Sequence, residues 1–191
     1  MKAALKLLRY IKGTKHFGIT YGTSSDAPWH GISIERDELM AFFDADWGSN
    51  VNCRKSRFGW ITFYANGATS WSSGLQKSIS RSTVEAEYVA CAEIVAEIIY
   101  LRKLLIEFDL APQYPTMIYG DNKGAMLLAR NNVFHKRTKH IDISAHYTRE
   151  RIKAGDVRLI YISTKDNISD IMTKPVRRIT FLHLVKLMGI K

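Results

Sequence analysis

The sequence is poor in three things that would each narrow its function. It has two cysteines in 191 residues, Cys53 and Cys91, far apart in the chain. That excludes a disulfide framework and a Cys-x-x-Cys metal site, and it fits a reducing compartment. It has no apolar run of the length that spans a bilayer, which excludes an ordinary transmembrane helix. Acids are in the minority, with 18 Asp and Glu against 28 Lys and Arg and a net charge of +10. The expected partner is therefore a polyanion, with nucleic acid ahead of a membrane surface. Repeats and low-complexity tracts are also missing. What is there, at 46% hydrophobic content, is enough to bury the core of one ordinary globular domain.

The first segment, Met1 to Lys12, is basic, apolar and free of acids, which raises a transit peptide. It has no Ser, and Ala4, Leu7, Leu8 and Ile11 fall at helical spacing before Gly13. An amphipathic helix is the expected reading. Phe17 to Tyr21 predicts a short strand and Ser24 to His30 a polar loop, with a boundary near there.

Leu39-Met40-Ala41-Phe42-Phe43-Asp44-Ala45-Asp46-Trp47 is apolar on both alternating faces as far as Phe43, the pattern of a strand covered on both sides. Asp44 is expected to emerge at its end, where a carboxylate is costly unless a metal or a substrate compensates it. Phe58 to Tyr64 is aromatic and β-branched, and Ala65-Asn66-Gly67-Ala68 predicts an Asn-Gly turn into a third strand. From Ser82 to about Phe108 the period is helical, opened by the capping box Ser82-Thr83-Val84-Glu85. Glu87 lies in line with Cys91, Ile94, Ile98, Leu101 and Leu105, the stripe that must face the sheet. An acid there is an error, half of a buried pair, or a ligand beside the strand ends.

Pro115 to Asn122 repeats the theme of a short apolar strand ending in an acid, Asp121, before a helix from Lys123 to Arg130. Entered from a long helix, this strand should lie parallel to the first, which makes Asp44 and Asp121 neighbours at one sheet edge. Asp121 is equally able to cap the helix. A basic loop, Phe134 to His140, precedes an amphipathic helix from Ile141 to about Ala154 and a last strand, Val157 to Ile162. Asp166 to Lys174 opens a helix ended by Pro175, with Asp166 or Asn167 as its cap and Asp170 one turn inside, free for other work. Ile179 to Met188 predicts a short basic helix.

Taken in order, Phe43-Asp44-Ala45-Asp46-Trp47, Ser82-Thr83-Val84-Glu85-Ala86-Glu87-Tyr88, Tyr119-Gly120-Asp121-Asn122, Arg137-Thr138-Lys139-His140-Ile141-Asp142 and Asp166 through Pro175 resemble the ribonuclease H domain of copia-type retrotransposon Pol polyproteins. Leu8-Arg9-Tyr10-Ile11-Lys12-Gly13-Thr14 resembles the segment that joins the reverse transcriptase to that domain. The resemblance implies an α/β fold with a five-stranded mixed sheet and helices on both faces. It divides the chain into a connecting segment (1–35), a ribonuclease H-like domain (36–175) and a basic C-terminal helix (176–191). By position, Asp44, Glu87, Asp121 and Asp170 match the family's catalytic acids. In the family such acids hold two Mg2+ or Mn2+ ions, which suits hard cations and phosphodiester cleavage.

The expected activity is cleavage of the RNA strand of an RNA–DNA hybrid, with the rest of a reverse transcriptase polyprotein as a further partner. The expected setting is cytoplasmic, in virus-like particles, or nuclear. Related cellular enzymes often place a His before the last acid, and Tyr161-Ile162-Ser163-Thr164-Lys165 has none. The chain also has no Tyr-x-Asp-Asp polymerase centre. Rival readings are a DxD glycosyltransferase from Asp44-Ala45-Asp46, which lacks a nucleotide-pocket signature, and zinc at His135, His140 and His146, which lacks a Cys-x-x-Cys partner. Trp47, Trp60 and Trp71 are expected to pack in the core or hairpin. The alternative of another class is a catalytically silent nucleic-acid-binding remnant, or a fragment of such an element adopted by a host.

Overall fold

The computed structural model describes residues 2–21, 38–130 and 139–190. Helix α1 (Lys2–Thr14) is followed by strands β1 (Met40–Asp46), β2 (Arg57–Tyr64) and β3 (Gly67–Leu75), then the long helix α2 (Thr83–Glu107). Strand β4 (Thr116–Gly120) leads to α3 (Lys123–Arg130), α4 (Lys139–Lys153) and β5 (Val157–Tyr161). A 3-10 turn (Thr164–Asp166), the single-turn α5 (Asp170–Thr173) and α6 (Arg178–Leu187) complete the chain. The polar stretch Ser24–His30, the boundary near residue 35 and the basic residues from Phe134 to Thr138 lie outside the described residues.

The strands form one five-stranded sheet in the order β3-β2-β1-β4-β5. The β1, β2 and β3 neighbours are antiparallel, whereas β4 runs parallel to both β1 and β5. The expected central strand is therefore central, and the helical crossovers on either side of β4 account for its parallel partners. Because side chains alternate along β1, Ala41, Phe43 and Ala45 pack under α2 and α3. Met40 and Phe42 pack on the opposite face, with Ile168 and the α6 residues Leu184 and Leu187. Each fully buried Phe contributes about 2 kcal/mol of hydrophobic stabilisation, and Phe42 also stacks on Tyr119 with ring centroids 5.0 Å apart.

Three local expectations change. The β2–β3 turn is centred on Ala65 and Asn66, both with positive φ, and Tyr64 pairs with Gly67. Gly67 is thus already in the strand. Its missing Cβ makes room for the Tyr21 ring, which a side chain there would strike. Phe17 to Tyr21 is no sheet strand, since Ile19 makes one isolated bridge to Ile190. Finally, the helix expected around Asp170 is split into a 3-10 turn and a single α-turn, so Asp170 opens α5 instead of lying one turn inside. Asn167 is the reason: its side-chain amide donates to the Phe43 carbonyl (3.0 Å) and its Oδ1 accepts from Ser169, which ties this stretch to β1.

Candidate metal centre

Asp44 sits on the face of β1 that points away from α2, and the ladder runs on past it to the Asp46–Arg57 pair. It is therefore inside the strand and only 4% exposed, rather than emerging at its end. Thr173 of α5 donates its hydroxyl to Asp44 Oδ2. This approach requires a glycine at position 59, opposite Asp44 on β2. A Cβ there would lie 2.5 Å from Met172 Cβ and 2.8 Å from Thr173 Cγ2.

Glu87 is placed by the start of α2. Ser82 caps the helix, accepting from the Glu85 amide (3.1 Å), while the Glu85 carboxylate accepts from the Arg81 amide (2.8 Å) rather than from Ser82 as in the usual box. Gln76 donates to the Ala86 carbonyl (2.8 Å) and accepts from Ser80, and Trp47 donates to the Ser80 carbonyl, so the helix start is tied to the loop beyond β1. The Cys91, Ile94 and Ile98 stripe is fully buried against the sheet, and Glu87, in line with it, is 4% exposed. Asp121 follows β4 directly. Asn122 caps α3 by accepting from the Ala125 amide (3.0 Å), which leaves Asp121 without that duty.

These three elements bring carboxylate oxygens of Asp44, Glu87 and Asp121 within 4.8 Å of one another. Glu87 Oε2 is buried and has no hydrogen-bond partner. Asp170 is not one of this trio. It lies on α5 beside Thr173, where its charge is felt by Asp44, and pairs with Lys174 Nζ at 2.8 Å. All four sequence-identified acids thus stand at one edge of the sheet, three in direct convergence and the fourth neutralised by a lysine.

Their electrostatics follow from crowding. Burial first, then the charges of Asp44 and Asp121, push the Glu87 carboxyl up to about 9. Burial also pushes Asp44 up to about 6, helped by Asp170 and Asp121 and opposed by the Thr173 hydrogen bond and the Lys174 charge. The Cys91 thiol, one turn below Glu87, is pushed up by burial to about 12, so it is a core side chain and no nucleophile. Hard oxygen donors, like charges forced together and an orphaned buried oxygen are what a divalent cation site offers. The residues fit Mg2+ or Mn2+, and the all-carboxylate set disfavours zinc.

No family model matches the chain. It is 35% identical over 191 residues, 98% of its length, to the retrovirus-related Pol polyprotein from transposon RE2 of Arabidopsis thaliana. It is 36% identical over 183 residues to the corresponding polyprotein from transposon TNT 1-94 of Nicotiana tabacum. The chain is a homologue of copia-type retrotransposon Pol polyproteins. It spans 12% and 13% of the length of these two relatives. Among solved structures, LC11-RNase H1 isolated from compost superposes with a TM-score of 0.52 at 11% identity, covering 72% of this chain and 93% of that one. The Pol homologue therefore has the ribonuclease H fold, with its mixed five-stranded sheet.

Some residues that shape the site of this Pol homologue gave no sequence signal as functional. Thr173, Lys174 and Asn167 act through contacts to partners elsewhere in the fold, and only Asn167 stood out, as a helix cap. Gln76 and Ser80 fall in a loop with no periodicity. Of the tryptophans, Trp60 is buried as expected, whereas Trp47 and Trp71 are half exposed. His146 pairs with Glu150 on the exposed face of α4, while His135 and the side chain of His140 lie outside the described residues. Among the described residues, no helix is long and apolar enough to cross a membrane.

Proposed function

We propose that this chain is a metal-dependent endonuclease that cleaves the RNA strand of RNA–DNA hybrids, as the ribonuclease H part of a retrotransposon reverse transcriptase. In this reading residues 1–35 connect to the polymerase region, 36–175 form the nuclease and 176–191 the basic terminal helix. The observation that carries the reading is the convergence of Asp44, Glu87 and Asp121 within 4.8 Å around a buried, unpartnered carboxylate oxygen.

Asp44, Glu87 and Asp121 would hold one ion, and Asp170 with Asp44 would complete a second site. When bound, two such ions supply an activated water and charge stabilisation for the leaving oxygen of a phosphodiester. The chain's own contribution is positional. Thr173 holds Asp44 in one rotamer, the Ser82 cap with the Gln76–Ser80 pair holds Glu87, and Asn122 releases Asp121 from capping. Arg57 opens β2 opposite Asp46, two positions along β1 from Asp44, and Arg54 and Lys55 precede it in the chain; these basic side chains are the ones expected to meet backbone phosphates.

The test is cleavage of a hybrid labelled on either strand by the purified chain, with Mg2+, with Mn2+ and in EDTA. Metal-dependent scission of the RNA strand alone is expected, lost in Asp44→Asn and Asp121→Asn. Binding of the hybrid without scission under either metal would instead support a silent remnant.

A further inference from the structure

We propose that the Lys174 ammonium is a built-in counter-ion that competes with the divalent cation expected between Asp170 and Asp44, so that the two cations of the site bind with unequal strength. This rests on the metal-dependent reading above and deepens it.

The asymmetry is in the contacts. On the α2 side of the cluster, Glu87 Oε2 is buried with no partner. Among the described residues, Asp170 is the one member of the four acids that makes an ion pair, so a cation entering among Asp44, Glu87 and Asp121 breaks no such pair there. On the α5 side the chain supplies its own positive charge. Lys174 closes the single turn of α5, its amide donating to the Asp170 carbonyl (3.2 Å). Its side chain returns to the Asp170 carboxylate at 2.8 Å. Asp44 and Asp121 also act on this ammonium through their charges. A divalent ion that takes Asp170 Oδ1 must move the ammonium off it, and one that takes the other oxygen meets its repulsion at short range.

The lysine suits this role chemically. It is a compact charge on a flexible stem, and its side chain is 39% exposed, so it can swing to solvent without disturbing the core. Thr173 keeps Asp44 fixed from the same turn, so the exchange involves only the Lys174 side chain. Among the described residues, the site thus carries one protein cation, and it is paired on the Asp170 side.

Manganese titration of the full chain by calorimetry, near neutral pH and at low salt, tests this. The wild type should show a tighter and a weaker site. Lys174→Met should tighten the weaker one by ~tenfold or more while moving the tighter one much less. Lys174→Arg, which keeps the charge, should resemble the wild type, and Lys174→Gln should reproduce the Met result if Met impairs folding. Two wild-type sites with an unchanged weaker constant in both neutral variants would overturn the inference and leave the metal reading standing. A wild type that takes up no Mn2+ contradicts metal loading of the free chain. Uptake by Lys174→Met would then uphold the counter-ion, and uptake by neither would overturn it as well.

Discussion

Replacing Glu87 by Gln should stabilise the metal-free protein in a pH-dependent way. Glu87 is 4% exposed and shares its space with Asp44 and Asp121. Its carboxyl is pushed from 4.5 to about 9, by burial first. The folded chain thus keeps a proton that the unfolded chain releases above the ordinary glutamate range. Stability from this group is fully present below about 4.5 and is lost as pH rises towards about 9. At 1.36 kcal/mol per unit, the loss by about pH 8 reaches at most roughly 5 kcal/mol. Gln is neutral in both states and does not suffer it. With 2–4 °C per kcal/mol for a chain of this size, even ~2 kcal/mol of that relief raises the melting midpoint by about 4–8 °C.

The assay is thermal unfolding of both proteins in EDTA from about pH 4.5 to 8.5. The curves should meet at the acid end and part as pH rises, with the Gln variant above. Saturating Mn2+ should lift the wild type and leave the variant nearly unmoved. A variant that melts lower at about pH 8, or a gap independent of pH, would refute the burial and crowding assigned to Glu87.

Gly59→Ala should lower both stability and divalent-ion affinity, because its Cβ would force Met172 and Thr173 away from Asp44; calorimetry with Mn2+ reads the second effect. Asn167→Ala should cost about 1–3 kcal/mol in denaturant unfolding, since the buried Phe43 carbonyl loses its donor. Hybrid affinity should fall steeply with salt, because Arg54, Lys55, Arg57 and the basic residues of α6 are expected to meet phosphates; fluorescence anisotropy at two salt concentrations checks the slope.

Much of the site was legible in the sequence because it is built from regular elements. The two-faced apolar run before Asp44 marks a central strand, and a strand entered from a long helix must lie parallel to it, which puts Asp121 beside Asp44. The wheel of α2 places Glu87 on the buried stripe without reference to any partner. What could not be read depends on contacts between distant segments. Thr173 and Asn167 reach β1 from the far end of the chain, and Lys174 matters only once Asp170 is placed. The Asn66-Gly67 pair misled for a related reason. The glycine is there for the close approach of Tyr21, not for the turn's dihedrals, and neighbouring residues carry no record of that contact.

The central claim is that the Asp44, Glu87 and Asp121 cluster is a metal centre that cuts RNA, and the two glutamates at the head of α2 test it most directly. Single-turnover cleavage of a labelled hybrid with Mg2+ should proceed at close to the wild-type rate in Glu85→Gln, whose side chain can still accept from the Arg81 amide. In Glu87→Gln, with the fold intact, it should collapse. Cleavage retained in Glu87→Gln and lost in Glu85→Gln would contradict the account.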